Sequence, residues 1–292
     1  MFILSLIANP SRPILESGLI DSLQRQWGGS DMRWLNPNIA GEFALPVRPS
    51  DLDAVQIELS RMGIDLALLP AAGRRKRMLL ADMDSTMIEQ ECIDELAAEA
   101  GIGDRVAAIT ARAMNGELDF DQALTERVRL LTGLPESMIN QVVETRISMA
   151  SGGAELVATM RANGGYAALV SGGFGSFTGL VAARLSFDEH RANTLLAQDG
   201  KLTGRVGQPI LGGAAKVQAL HEIAALRGLS PADVIAVGDG ANDLGMLAGA
   251  GIGVALHAKP RVAAQAQVRI DHGDLTALLY LQGYAISDFV NC

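Results

Sequence analysis

The chain has 292 residues, 49% of them apolar and 20% charged, a mix that fills a core and excludes a disordered chain. A net charge of -9 argues against a phosphate-backbone binder, so no nucleic-acid partner is expected. Two cysteines far apart, Cys92 and Cys292, exclude a disulfide framework and a Cys/His metal site, and they fit a reducing, cytoplasmic setting.

In chain order, residues 2–7 read as a strand and 13–27 as an amphipathic helix. Residues 32–35 and 42–45 are short strand candidates. Residues 49–62 have helical spacing, with Ser50 and Asp51 as the cap, and 64–69 read as a last strand. This βαββαβ order suits a small sandwich of sheet and helices over residues 1–75, without a catalytic cluster. The basic run Arg74, Arg75, Lys76 and Arg77 reads as a solvated linker. The opening Met1 to Ala8 is apolar but lacks the basic flank and cleavage site of a signal peptide.

Residues 78–81 form an apolar strand that ends at Asp82. Helical patterns then occupy 88–100, 105–114, 120–131 and 136–148, followed by a helix at 154–162, a strand at 166–170 and a helix at 175–185. Asp199-Gly200 marks a hairpin. A helix at 214–227, a strand at 234–237, a short helix at 243–248 and a strand at 252–255 complete the alternation. Such alternation predicts a parallel sheet with helices on both faces. The uncharged stretch 162–183 is long enough for a membrane span, but its six glycines divide it into strand, turn and helix, so no membrane segment is expected. Residues 87–150 are inserted after a strand's carboxyl end, where open α/β sheets bind ligands, and so read as a lid.

Four clusters carry possible chemistry. Asp82-Met83-Asp84-Ser85-Thr86 places two carboxylates at a strand end, for attack and proton transfer; alone it reads equally well as a turn. Gly238-Asp239-Gly240-Ala241-Asn242-Asp243 offers hard oxygen ligands suited to Mg2+, or a capped strand-to-helix turn. Ser171-Gly172-Gly173-Phe174-Gly175 offers a hydroxyl and free amides for phosphate, or a glycine turn. Lys216 alone is an ordinary lysine, but beside the other three it supplies a cation for phosphate. The four histidines, His190, His221, His257 and His272, have no partner at catalytic spacing.

Together these clusters resemble the four motifs of the haloacid dehalogenase superfamily. Glu91, Arg127 within Glu126-Arg127-Val128, Ser171-Gly172-Gly173-Phe174 and Ala258-Lys259-Pro260 narrow the resemblance to its phosphoserine phosphatase family, over residues 77–290. Residues 1–75 weakly resemble ferredoxin-like amino-acid-sensing modules. The resemblance implies a doubly wound parallel sheet with a helical cap at about 87–150 in a phosphatase domain of 76–292, plus the small N-terminal α+β domain.

It further implies hydrolysis of L-phosphoserine to L-serine and phosphate, the last step of serine biosynthesis. Asp82 would be the nucleophile and Asp84 the acid and then the base. Asp82, the main-chain carbonyl of Asp84, and Asp239 would hold Mg2+. Ser171, Gly172 and Lys216 would bind phosphate, Asn242 would contact the substrate, and Asp243 would orient Lys216 or metal-bound water. Glu91 would take the substrate ammonium and Arg127 its carboxylate, with Met114 and Phe120 as an apolar wall. A homodimer and an amino-acid ligand on residues 1–75 remain open. The alternatives are a phosphatase or phosphotransferase for another small phosphomonoester, a receiver-type signalling module phosphorylated on Asp82, and a mainly regulatory protein.

Overall fold

A computed structural model describes residues 1–114 and 117–290. The N-terminal unit runs β1 (Phe2–Ala8), α1 (Ser17–Trp27), β2 (Ser30–Asn36), β3 (Ala40–Leu45), α2 (Leu52–Met62) and β4 (Ile64–Pro70). Its antiparallel sheet has the order β2-β3-β1-β4, the ferredoxin-like arrangement. Both helices end on a left-handed glycine, Gly28 and Gly63, whose amides return to carbonyls of the last turn. One sheet face packs Leu4, Leu6, Phe43 and Leu66 against Ile20, Leu23 and Leu59 of the helices. The other face carries Ile7, Leu35, Ala40, Ala67 and Leu69 into the large core of the following unit.

That second unit is built on a six-stranded sheet. Its strands are β5 (Met78–Ala81), β6 (Tyr166–Phe174), β7 (Glu189–Asn193), β10 (Val234–Gly238), β11 (Ile252–Leu256) and β12 (Val268–Ile270). The order is β12-β11-β10-β5-β6-β7, and every pairing is parallel. Strands β5, β10 and β11 are buried at every position, as expected for parallel strands covered on both faces. Helices α7 (Gly153–Ala162), α8 (Gly175–Leu185), α9 (Gly213–Leu226) and α10 (Leu244–Gly249), with the short α11 (Pro260–Ala263) and α12 (Ala277–Leu281), provide that cover. The uncharged stretch 162–183 is strand β6 followed by most of α8. Among the described residues, no helix is long and apolar enough to cross a membrane.

Between β5 and α7 lie α3 (Cys92–Glu99), α4 (Gly103–Met114), α5 (Phe120–Leu130) and α6 (Ser137–Thr145). They join the sheet unit through two adjacent segments: Glu89 N donates to Ser148 O (3.1 Å) and Ala150 N to Met87 O (3.0 Å). A hairpin of β8 (Leu195–Gln198) and β9 (Lys201–Val206) supports α5 from below. Asp199 and Gly200 both have positive φ, 53° and 73°, so the Asp-Gly turn forms where the sequence places it.

Three expectations change. The helix expected from residue 88 starts at Cys92. Met83 O accepts the amides of Thr86, Met87 and Ile88, and Ser85 adopts a φ of 55°, so residues 83–91 form a loop instead. The polar β7 and the elements after residue 256 carry no clean periodicity and were not expected. The basic run at 74–77 is not a solvated linker. Arg74 is buried against Glu42 at 2.6 Å, Arg75 lies over the Tyr284 ring, and Lys76 Nζ donates to Gly73 O and Ala232 O.

Candidate active site

The sheet order places β5 between β10 and β6, so the segments after these strands meet at one edge. Asp82 follows β5, Asp239 follows β10, and Ser171 and Gly172 lie in the irregular end of strand β6, where its pairing with β7 shifts register. Pairing fixes their height: Ala81 stands opposite both Val237 and Leu169, and Asp82 N donates to Val237 O at 3.0 Å. The loops and the α3–α5 insert enclose a cavity of about 300 Å3. Its walls include Asp82, Asp84, Glu91, Arg127, Ser171, Gly172, Asp239 and Asn242.

Lys216 lies beneath the floor, 1% exposed, in the first turns of α9. Its Nζ is 2.6 Å from Asp82 Oδ1 and 2.6 Å from Asp243 Oδ1. Burial alone pulls a lysine pKa down, but the two carboxylates outweigh it and hold Lys216 above its ordinary value. Asp243 Oδ2 accepts from Gly240 N at 3.0 Å, so this residue links the glycine turn to the lysine. Burial, with Asp82 next, raises Asp243 to about 7, while burial and Asp82 raise Asp239 to about 6.

Asp84 turns away from that cluster. Its Oδ1 accepts from Cys92 N at 3.2 Å, which ties it to the start of α3. Burial, then the charges of Glu91 and Asp82, push its carboxyl to about 8. It is therefore protonated near neutral pH. Gly173 is needed beside it: a Cβ there would lie 2.8 Å from Asp84 Oδ2 and 3.1 Å from Ser171 Oγ. Ser171 Oγ accepts from Gly173 N at 2.9 Å, and its hydroxyl proton is left for another acceptor.

Glu91 and Arg127 face the same cavity from the insert. Ser85 Oγ donates to Glu91 Oε1 at 2.8 Å, yet burial and the Asp82 charge still raise the Glu91 pKa. Arg127 Nε donates to Ala123 O at 3.3 Å. Burial lowers its pKa against the opposing pull of Asp94 and Glu91. Phe120 packs over Gly172 and Gly212, where added Cβ atoms would meet its ring at 3.1 and 3.3 Å. The Met114 side chain lies outside the described residues.

Carboxylate oxygens of Asp82, Asp239 and Asp243 lie within 4.8 Å of one another, a hard-oxygen set that suits a divalent cation. Asp243 enters this set although the sequence reading gave it only a supporting role. Sequence reading also missed Asn193. Its amide donates to Gly172 O (2.9 Å) and Leu211 O (3.1 Å) and accepts from Leu211 N (2.7 Å), so it clamps the serine-glycine loop to the approach of α9. An asparagine in a polar edge strand gives no signal of that kind.

Residues 79–248 match the family model for haloacid dehalogenase-like hydrolases. A phosphoserine phosphatase from Albidiferax ferrireducens is 48% identical over 70% of this chain and 89% of its own. The chain belongs to the haloacid dehalogenase-like hydrolases, in their phosphoserine phosphatase family. A phosphoserine phosphatase from Archaeoglobus fulgidus is 43% identical over 76% of this chain, and the match spans 64% of that longer relative. A haloacid-dehalogenase-family hydrolase from Salmonella enterica serovar Typhi superposes with a TM-score of 0.86 at 31% identity, over 96% of this chain and 98% of its own. A substrate-bound phosphoserine phosphatase superposes with a TM-score of 0.66 at 39% identity, over 70% of this chain and 98% of its own.

Proposed function

We propose that this protein hydrolyses L-phosphoserine to L-serine and phosphate, with Asp82 as nucleophile. The observation that carries the reading is the pairing, in one cavity, of phosphoryl-transfer groups with a cation and an anion on the insert. Asp82, Lys216, Ser171 and Asp84 address the phosphate, and Arg127 and Glu91 line the same cavity for a carboxylate and an ammonium.

Lys216 engages Asp82 Oδ1, which leaves Oδ2 to attack phosphorus. As the bond from Oδ2 to phosphorus forms, the bond to the serine oxygen breaks, and Asp84 delivers its proton to that oxygen. A carboxyl raised to about 8 favours its neutral, protonated form at neutral pH and so has that proton to give. The resulting Asp84 carboxylate then takes a proton from water. Water oxygen bonds to phosphorus, the bond to Asp82 breaks, and the nucleophile is restored. The Ser171 hydroxyl and Gly172 amide hold phosphate oxygens in place, and the Asn193 clamp holds their loop. Asn242, 3.8 Å through Nδ2 from a Cβ added at Gly172, stands beside this loop on the substrate side.

Asp82 and Asp239, with the main-chain carbonyl of Asp84, would hold Mg2+, and Asp243 belongs to the same carboxylate cluster. The ion would offset the repulsion between a phosphate dianion and an anionic nucleophile. We assign the insert at 87–150 as the substrate-reading cap and residues 1–75 as a separate domain without catalytic groups.

The decisive experiment is phosphate release from phosphoserine, phosphothreonine, glycerol phosphate and an aryl phosphate, each with and without Mg2+. Phosphoserine is expected to give the highest kcat/KM, and only with the metal. A flat profile across the four esters would defeat the substrate assignment.

A further inference from the structure

The groups given catalytic and binding roles offer little net positive charge to a dianionic substrate. Its walls carry the carboxyl groups of Asp82, Asp84, Glu91 and Asp239, and Arg127 is the cation among the groups already given roles there. Lys216 is committed to Asp82 and Asp243 below the floor. The whole chain adds a net charge of -9. With Asp84 protonated, Lys216 on Asp82 and Asp243, and Mg2+ offsetting the remaining carboxylates, the cavity groups nearly cancel, so by themselves they give an approaching phosphomonoester dianion little long-range attraction.

Two further cations lie at this opening. Lys259 and Arg261 also line the cavity, from the segment that follows β11, and both are exposed. Among the described residues neither makes an ion pair, whereas Arg161, Arg191 and Arg269 of the same unit are each matched to a carboxylate. Their backbone is anchored. Lys259 O accepts from Val262 N (2.8 Å) and Ala263 N (3.0 Å), Arg261 O accepts from Gln265 Nε2 (2.9 Å), and Val262 is buried beneath them. Two positive side chains without an ion-pair partner thus project from an anchored backbone at the lip of the cavity.

We infer that Lys259 and Arg261 form a cationic rim that draws the dianionic phosphomonoester into the site and favours doubly charged esters over singly charged ones. The inference rests on the phosphatase reading given above. The rim acts on capture and not on phosphorus chemistry, so its signature lies in kcat/KM and in its response to salt.

The test compares wild type with Lys259→Ala, Arg261→Ala, the double alanine variant, and Arg261→Lys. Values of kcat and KM for phosphoserine are measured from about 20 mM to about 500 mM ionic strength, over which the screening length shrinks from roughly 20 Å to roughly 4 Å. The double variant is expected to lose about tenfold in kcat/KM at low salt, at the modest end of steering effects. The loss should appear in KM, shrink to about twofold at high salt, and leave kcat within about twofold. Arg261→Lys should behave as wild type, because a point charge suffices. A double variant with the wild-type salt slope overturns the inference, as does a loss carried equally by kcat at all salt concentrations. If wild type does not turn over phosphoserine, the substrate reading fails. The rim is then judged by the same salt series on an aryl phosphate, also a dianion, where an unchanged slope again overturns it.

Discussion

At the residue scale, the site depends on a buried cation shared by two carboxylates. Asp82→Asn retains the shape of the side chain but removes the attacking charge. Turnover of phosphoserine should fall at least about a thousandfold, by analogy with other covalent enzymes, with the melting temperature little changed. Phosphate release near the wild-type rate would show that Asp82 is not the nucleophile. Asp84→Asn keeps the backbone carbonyl but removes the proton that burial and its acidic neighbours hold on the side chain. General acid catalysis contributes typically 10²- to 10⁴-fold. The loss should therefore be large on phosphoserine and much smaller on an aryl phosphate, whose leaving group needs no proton. Equal losses on both esters would argue against the acid role. Chelation of divalent ions should abolish activity, with recovery on adding Mg2+. Full activity after exhaustive chelation would mean that Asp82, Asp239 and Asp243 cluster for structural reasons alone.

At the scale of elements, specificity belongs to the inserted helices. Arg127 sits on α5, which the β8–β9 hairpin supports and an Asp119–Gln122 capping box starts. Arg127→Ala should lower kcat/KM for phosphoserine by about tenfold to a hundredfold, since hydrogen bonds to charged groups are worth roughly 1.5–3 kcal/mol. A small ester without a carboxylate should lose little, and Arg127→Lys should fall between, having the charge without the planar fork. Parallel losses on both esters would recast Arg127 as a support of α5. The strand-end motifs of this site were legible because buried parallel strands are short apolar runs and the acids begin where the runs stop. Residues 88–91 were less legible. Their composition suits a helix, but Met83 O gathers three amides up to Ile88 and Asp84 claims Cys92 N, tertiary demands that helical spacing does not display. Asn193 and the edge strand β7 were invisible for a similar reason: their value lies in partners distant in sequence.

At the scale of the whole molecule, the two sheets share one core, which the basic run at 74–77 concealed by its resemblance to a solvated linker. Asp65, 4% exposed at the start of β4, accepts hydrogen bonds from the amides of Asp271, His272 and Gly273 after β12. Burial raises its pKa in spite of these three donors. Asn36 Nδ2 donates to the Tyr280 hydroxyl, and Ile7, Leu35 and Leu69 join Leu278 and Tyr280 in a common apolar cluster. Asp65→Asn would turn an amide NH2 toward backbone donors and leave some of them unpaired. A cost of about 1–3 kcal/mol is expected, seen as a lower unfolding midpoint in urea. Deleting residues 1–73 is a harsher version of the same cut. It leaves every residue lining the active-site cavity in place but uncovers the apolar surface around Tyr280 and Leu278. The truncated chain should therefore retain phosphatase activity while unfolding at a lower temperature and aggregating more readily, because large exposed apolar patches promote association. Activity and melting temperature measured on the same preparation separate the outcomes. A folded, soluble truncation with no activity would show that the N-terminal unit shapes the site through β12 and the loops beside it. One as stable as the full chain would show that the shared core contributes little to holding the phosphatase unit together.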